Sequence, residues 1–242
     1  MKVLIWDFDG TLGYREGGAW TASLWETLRQ HAGDDGPSVT PDRLRPYTRE
    51  GFPWQAPERP HGDLETPEAW WEAMVPVFAR AYRGVGFAPP RAEALARQVR
   101  AVYLNPDRWR RTEGAAEVLA ALLASGWTHV MLSNHVPELR MLLRHLELEP
   151  YFVRVFNSAE IGYEKPNRRA FEPVLDALPE GAVRWMIGDS YRSDIRGVAA
   201  VGIPGILVHR THPEARIAFA SLAEVRCFLE SHASHGLDRT GC

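Results

Sequence analysis

Five short apolar runs, separated by stretches of helical pattern, leave this chain few ways to fold. The runs are 2–6, 128–132, 152–156, 184–187 and 205–208. Each has the length of a strand, and helical faces lie between the later ones. Ala115, Val118, Leu119 and Leu122 share one face, and Leu139, Leu142, Leu143 and Leu146 share another. Pro137 suits the first turn of that second helix. Phe171, Val174, Leu175 and Leu178 repeat the spacing, with Pro173 inside it, so that helix is expected to start late or kink. Strands alternating with helices predict an α/β fold of parallel strands joined by right-handed crossovers.

The ends of the runs carry the chemistry. Lys2-Val3-Leu4-Ile5-Trp6 empties into Asp7-Phe8-Asp9-Gly10-Thr11-Leu12. Two carboxylates at a buried strand end repel each other and resist ionisation unless a cation or strong donors hold them. A divalent metal answers that need, because hard oxygen ligands suit Mg²⁺. Gly10 allows a tight turn, and the Thr11 hydroxyl can bond locally. Further on, His129–Leu132 ends in Ser133-Asn134, Lys165-Pro166 follows Glu160–Glu164, and Trp185–Ile187 ends in Gly188-Asp189, with Asp194 five residues later. In an open α/β sheet, polar groups at strand carboxyl ends converge on one crevice. Taken singly, Ser133-Asn134 reads as a helix cap, Asp194 as a carboxylate at a helix N-terminus and Lys165 as a solvated loop lysine. Lys2 and Lys165, however, are the only lysines among 28 basic residues. A site wanting positive charge alone could have used arginine, and an ammonium point charge is not equivalent to a planar fork.

The order Asp-x-Asp, Ser, Lys, Gly-Asp-x-x-x-x-Asp resembles the haloacid dehalogenase-like hydrolase superfamily, whose members are mostly phosphatases. The likeness runs from the N-terminus to about the strand at 206–208. It implies a Rossmann-like parallel sheet core with an inserted, mainly α-helical cap domain over the active site. The core would be 1–13 and 113–230, the cap 14–112, and 231–242 a frayed tail. By the same resemblance Asp7 is the nucleophile that becomes an aspartyl-phosphate, and Asp9 protonates the leaving alkoxide and then activates water. In the family, dehalogenases lack this second aspartate, and its backbone carbonyl is a metal ligand. Thr11, Ser133 and the backbone N–H of Asn134 would hold the substrate phosphoryl oxygens, and Lys165 would neutralise them together with Asp7. Asp7, Asp9, Asp189 and Asp194 would hold the Mg²⁺ cofactor, Asp194 through water or by orienting Lys165. The implied function is a Mg²⁺-dependent phosphatase acting on a small phosphorylated metabolite. A phosphomutase on a sugar phosphate shares every core residue, and a non-catalytic regulatory protein on this fold is the reading from another class. Asp9 disfavours a dehalogenase. The absence of lysine from 14–112 disfavours phosphonate cleavage through a cap Schiff base, and no Gly-rich turn follows the first strand to hold a nucleotide cofactor.

The stretch between the first and second runs is far too long for one crossover. Trp20–Ala32 reads as a helix, 33–66 as mostly loop, and Thr66-Pro67-Glu68 as the start of a helix carrying Trp70, Met74, Val77, Phe78 and Ala81, bent by Pro76. Leu95, Val99, Val102 and Tyr103 mark another. Six of the nine tryptophans fall in this insertion; most are expected to be its core, with either Trp70 or Trp71 a candidate for the substrate cavity. Arg49, Trp54 and His61 are weaker candidates, and His209 and Arg210 read as a solvated loop. Joints near Gly13–Gly18 and Arg111–Gly114 would let the cap move. A net charge of −3 without a basic cluster gives no reason to expect nucleic acid or an anionic membrane as partner. No run is long enough to span a bilayer or form a signal-peptide core, and Cys227 and Cys242 make neither a disulfide framework nor a metal site, so the cytoplasm is the expected compartment. Oligomeric state stays open.

Overall fold

A computed structural model describes residues 1–33, 39–64 and 66–234. Its centre is a six-stranded sheet built from β1 (Lys2–Trp6), β4 (Trp127–Ser133), β5 (Phe152–Asn157), β6 (Val183–Gly188), β7 (Gly205–Val208) and β8 (Ala218–Phe219). The spatial order is β5-β4-β1-β6-β7-β8, and every neighbouring pair is parallel. Each of the five apolar runs forms a strand to within one residue at either end. β8 was not expected, since two residues are too short to show a period.

β1 is buried on both faces. Leu4 and Trp6 pack into one cluster with side chains of α6 (Ala115–Ala124), α7 (Leu139–His145) and α11 (Leu222–Ser234). Val3 and Ile5 pack into a second with α9 (Arg168–Ala177) and α10 (Gly197–Ala199). This is the period-two alternation of a central strand covered by helices on both sides. α9 begins at Arg168, capped by the Asn167 side chain, and continues through Pro173. A short α8 (Ser158–Ile161) follows β5. The frayed tail expected from 231 onward is corrected: α11 continues to Ser234, because Leu222, Val225 and Leu229 recur at helical spacing and are buried in the core. Residues 235–242, Cys242 among them, lie outside the described residues.

The insertion opens with β2 (Gly13–Arg15) and closes with β3 (Trp109–Arg111), which pair antiparallel, Gly13 opposite Arg111 and Arg15 opposite Trp109. Its two covalent joints are thus held in one ribbon. Between them lie α1 (Trp20–His31), α2 (Pro41–Leu44), α3 (Pro67–Gly84), α4 (Pro89–Ala96) and α5 (Val99–Tyr103). Thr66 caps α3, its hydroxyl accepting from Ala69 N at 3.2 Å, and the helix runs on through Pro76. The single helix expected around Leu95–Tyr103 is instead two. The backbone tightens where Gln98 N donates to Leu95 O, three residues back, and α5 restarts at Val99. In the stretch expected to be loop, the described part holds α2 and short 3₁₀ turns; 34–38 and 65 lie outside the described residues. Among the described residues no helix is long and apolar enough to cross a membrane.

One polar group in the sheet core is fully paired. Trp6 Nε1 donates to His129 Nδ1 at 3.0 Å, and His129 Nε2 lies 3.0 Å from the carbonyl of Leu119. Since Nδ1 accepts, Nε2 must carry the proton, and the ring is neutral. Burial pushes the His129 pKa from 6.5 down to about 4, against the pull of the Leu119 carbonyl. The unfolded chain therefore binds this proton more readily than the folded one. The stability that His129 contributes is complete above pH 6.5 and is lost as pH falls towards about 4. Nitrogen-15 NMR of the imidazole at a pH midway between those values is expected to show a neutral Nε2–H ring, whereas an exposed histidine would already be protonated.

Candidate active site

The crevice follows from the topology. The crossover from β1 to β4 carries α6 on one face, and that from β6 to β7 carries α10 on the other, so the connections of the adjacent strands β1 and β6 diverge. A cleft opens outside the carboxyl ends of such a pair. Here it is a cavity of about 660 Å³, with Asp7, Asp9, Asn134, Lys165, Asp189 and Asp194 on the core side and insertion residues opposite.

Asp7 continues the β1–β6 ladder, its N–H donating to Ile187 O at 2.9 Å. Its Oδ1 accepts from Ser133 Oγ at 2.9 Å and from Lys165 Nζ at 2.8 Å. Lys165 is 1% exposed, and its ammonium also donates to Leu132 O at 2.8 Å and Asp194 Oδ1 at 2.7 Å. Asn134 clamps the lysine's backbone from both sides: its Nδ2 donates to Lys165 O at 2.9 Å and its Oδ1 accepts from Lys165 N at 2.8 Å. Asp194 sits in a π-helical turn, Tyr191–Arg196, where its Oδ2 accepts from Ser190 N at 3.0 Å. Two glycines let these loops meet. Gly10 has φ +84°, and a Cβ there would lie 2.6 Å from Asp189 Oδ2; at Gly188 a Cβ would lie 2.2 Å from Asp194 Oδ2.

The site is short of positive charge. Burial works against the Lys165 ammonium, but Asp194 and Asp7 outweigh it and hold its pKa above the ordinary lysine range. That one cation does not satisfy the carboxylates. Burial, then Asp7 and Asp189, push Asp9 up to about 7. Burial and Asp7 raise Asp189 despite Arg210, and burial raises Asp194 against the pull of Lys165. Asp7, Asp189 and Asp194 each offer a carboxylate oxygen, all within 4.8 Å of one another. A hard oxygen set with excess negative charge fits a divalent cation such as Mg²⁺.

Seven of the eight candidate residues converge at this point, six lining the cavity and Ser133 buried against Asp7; Thr11 does not reach it. Thr11 is fully buried and its hydroxyl has no partner. It holds the turn through its backbone, N–H to Phe8 O and C=O to His209 Nε2, which corrects the expected contact with substrate. The side chain of Asn134, foreseen only for its backbone N–H, fixes Lys165. Neither Trp70 nor Trp71 faces the cavity, which corrects the candidate cap tryptophan. They meet edge to face at 5.0 Å inside the insertion's core, and Trp71 Nε1 donates to Glu138 at 3.1 Å. Trp20, Trp54 and Tyr103 line the cavity instead. Arg210 is not a loop residue free in solvent: its Nε lies 2.9 Å from Asp189 Oδ2. The available signal was its place two residues beyond β7, at the same sheet end as Asp189. Glu138 and Glu164 were missed because their partners, Trp71 with Arg100 and His61, lie far away in sequence.

The comparisons with known proteins fit this geometry. The family model described as haloacid dehalogenase-like hydrolase matches residues 1–202. The chain belongs to that family. This hydrolase is 31% identical over 230 residues to the phosphoserine phosphatase of Thermus thermophilus, covering 87% of this chain and 89% of that one. It is 31% identical over 150 residues to the bovine haloacid dehalogenase-like hydrolase domain-containing protein 3, covering 61% of this chain and 59% of the bovine protein's length. Among solved structures, the HAD-hydrolase YfnB of Bacillus subtilis bound to magnesium matches with a TM-score of 0.68 at 22% identity, covering 94% of this chain and 98% of that one. Replacing Asn134 by alanine in this hydrolase removes both bonds to the Lys165 backbone. The expected cost is about 1–3 kcal/mol of stability in urea unfolding. An unchanged midpoint would show that the clamp is idle.

Proposed function

We propose that this hydrolase is a Mg²⁺-dependent phosphatase that cleaves a small organic phosphate monoester through an aspartyl-phosphate on Asp7. The observation that carries this reading is the unlike environment of two carboxylates two residues apart. Asp7 Oδ1 is held by Lys165 and Ser133, while burial beside Asp7 and Asp189 favours the protonated form of Asp9. A nucleophile and a proton donor side by side are what displacement of an alkoxide from phosphorus requires. A departing halide needs no proton, so Asp9 would be idle in a dehalogenase. The phosphoserine phosphatase relative is consistent with phosphoryl chemistry.

In this reading an Asp7 oxygen attacks phosphorus, the bond to the leaving oxygen breaks, and Asp9 gives that oxygen its proton. Asp9 then takes a proton from a water that attacks the acyl phosphate, which releases inorganic phosphate and restores Asp7. Lys165 neutralises Asp7 and the phosphoryl oxygens throughout, and Asp194 and Asn134 keep it in place. Mg²⁺, held by Asp7, Asp189, Asp194 and the backbone carbonyl of Asp9, would supply further neutralisation of the phosphoryl charge when bound.

A screen of phosphorylated metabolites with Mg²⁺, measuring released phosphate, tests the proposal. Activity is expected to vanish in chelator and in Asp7→Asn. Asp9→Asn is expected to lose roughly 10²–10⁴-fold on an alkyl phosphate, and less on an activated aryl phosphate whose leaving group needs no proton. Full activity in chelator, or wild-type turnover of an alkyl phosphate by Asp9→Asn, would overturn the mechanism.

A further inference from the structure

The two ends of the cavity differ in charge. All its carboxylates, Asp7, Asp9, Asp189 and Asp194, come from the core side. The insertion side carries Arg49, between α2 and α3, and the core side also carries Arg192, in the π-helical turn that holds Asp194. Both are exposed, and among the described residues neither has an ion-pair or hydrogen-bond partner. Other arginines of the chain do find carboxylates; Arg210 in the same region holds Asp189, and Arg100 holds Glu138. The same cavity is lined by the aromatic side chains of Trp20, Trp54 and Tyr103. Trp20 stacks on Tyr103 at 4.4 Å with planes 15° apart, and on Trp54 at 5.7 Å. Both tryptophans keep part of their surface open.

An unpaired guanidinium on a cavity wall attracts anions, and its fork matches carboxylate or phosphate oxygens. An aromatic face suits a flat or apolar segment. No carboxylate on the insertion side would receive an ammonium group. The cavity volume also lies in the range that encloses a ligand well beyond a bare phosphate.

We infer that the substrate of this site is a phosphate monoester bearing a second anionic group on a flat, apolar segment, and that Arg49 and Arg192 bind that second group. The inference rests on the phosphatase reading and adds the substrate class to it.

Three esters that differ in one substituent test it: phenyl phosphate, para-carboxyphenyl phosphate and para-aminomethylphenyl phosphate, each hydrolysed with Mg²⁺. The carboxylated ester is expected to exceed phenyl phosphate in kcat/KM by about tenfold, chiefly through KM, and the aminomethyl ester to fall below it. Arg49→Ala and Arg192→Ala are each expected to shrink the carboxylated-to-plain ratio, and Arg49→Glu to shift preference towards the aminomethyl ester. Added salt should compress the ratio. Equal kcat/KM for the three esters overturns this inference and leaves the phosphatase reading standing. So does a ratio unchanged in both alanine variants. A loss in Arg192→Ala equal for all three esters assigns Arg192 to the transferring phosphate and overturns its role here. No hydrolysis of any of them overturns this inference, and the metabolite screen then decides the phosphatase reading.

Discussion

A lysine ammonium with 1% of its surface exposed stays charged only if its protons are bonded and its charge is matched. Lys165 meets both conditions with Asp7, Asp194 and the carbonyl of Leu132, all within 2.8 Å. Those contacts join four separate segments of the chain. Asp7 follows β1, Leu132 lies in β4, Lys165 follows α8, and Asp194 lies beyond β6. Removing the ammonium would leave buried carboxylates facing each other, a cost far above that of an ordinary surface pair. Asn134 is the second half of the device. It fixes the lysine by its backbone, so the long side chain enters the site already directed.

The same lysine exposes an imbalance that the polypeptide leaves uncorrected. Gly10 and Gly188 permit Asp189 and Asp194 to come close enough to Asp7 to share one ion, and Asp9, Asp189 and Asp194 are all raised above the ordinary carboxylate range. In a purely structural core such crowding is selected against, because it costs stability. At the carboxyl end of a parallel sheet it makes a site whose excess negative charge fits a divalent cation.

The insertion is tied to the core by polar contacts as well as by its ribbon. Trp71 and Arg100 both donate to Glu138, Asn167 donates to Pro57 O at 2.8 Å, and His61 N donates to Gly162 O at 2.9 Å. The His61 ring lies 3.1 Å from Glu164, one residue before Lys165. Inside the insertion the aromatic side chains pack on one another, with Trp20 touching both that core and the cavity. The residues that stiffen the insertion are thus continuous with those that face a substrate.

What the sequence determined by itself was everything carried by local period or by a motif at a strand end. The five core strands, α1, α3, α6, α7 and α9, and the convergence of Asp7, Asp9, Ser133, Asn134, Lys165, Asp189 and Asp194 were legible, because apolar spacing dictates burial and a parallel sheet sends its carboxyl ends to one edge. Contacts between remote segments were not legible. Arg210 on Asp189, the Asn134 side chain on Lys165, and Trp71 with Arg100 on Glu138 depend on side-chain directions that no local pattern encodes. Adjacent tryptophans at 70 and 71 look equally able to face a cavity; only the packing of α1, α5 and the 52–54 turn around them buried both and brought Trp20 and Tyr103 to the wall beside Arg49 and Trp54, which the sequence had offered as weaker candidates. Local chemistry chose the reacting groups, and the tertiary structure decided which surfaces face them, since that depends on how the whole insertion fills its own core.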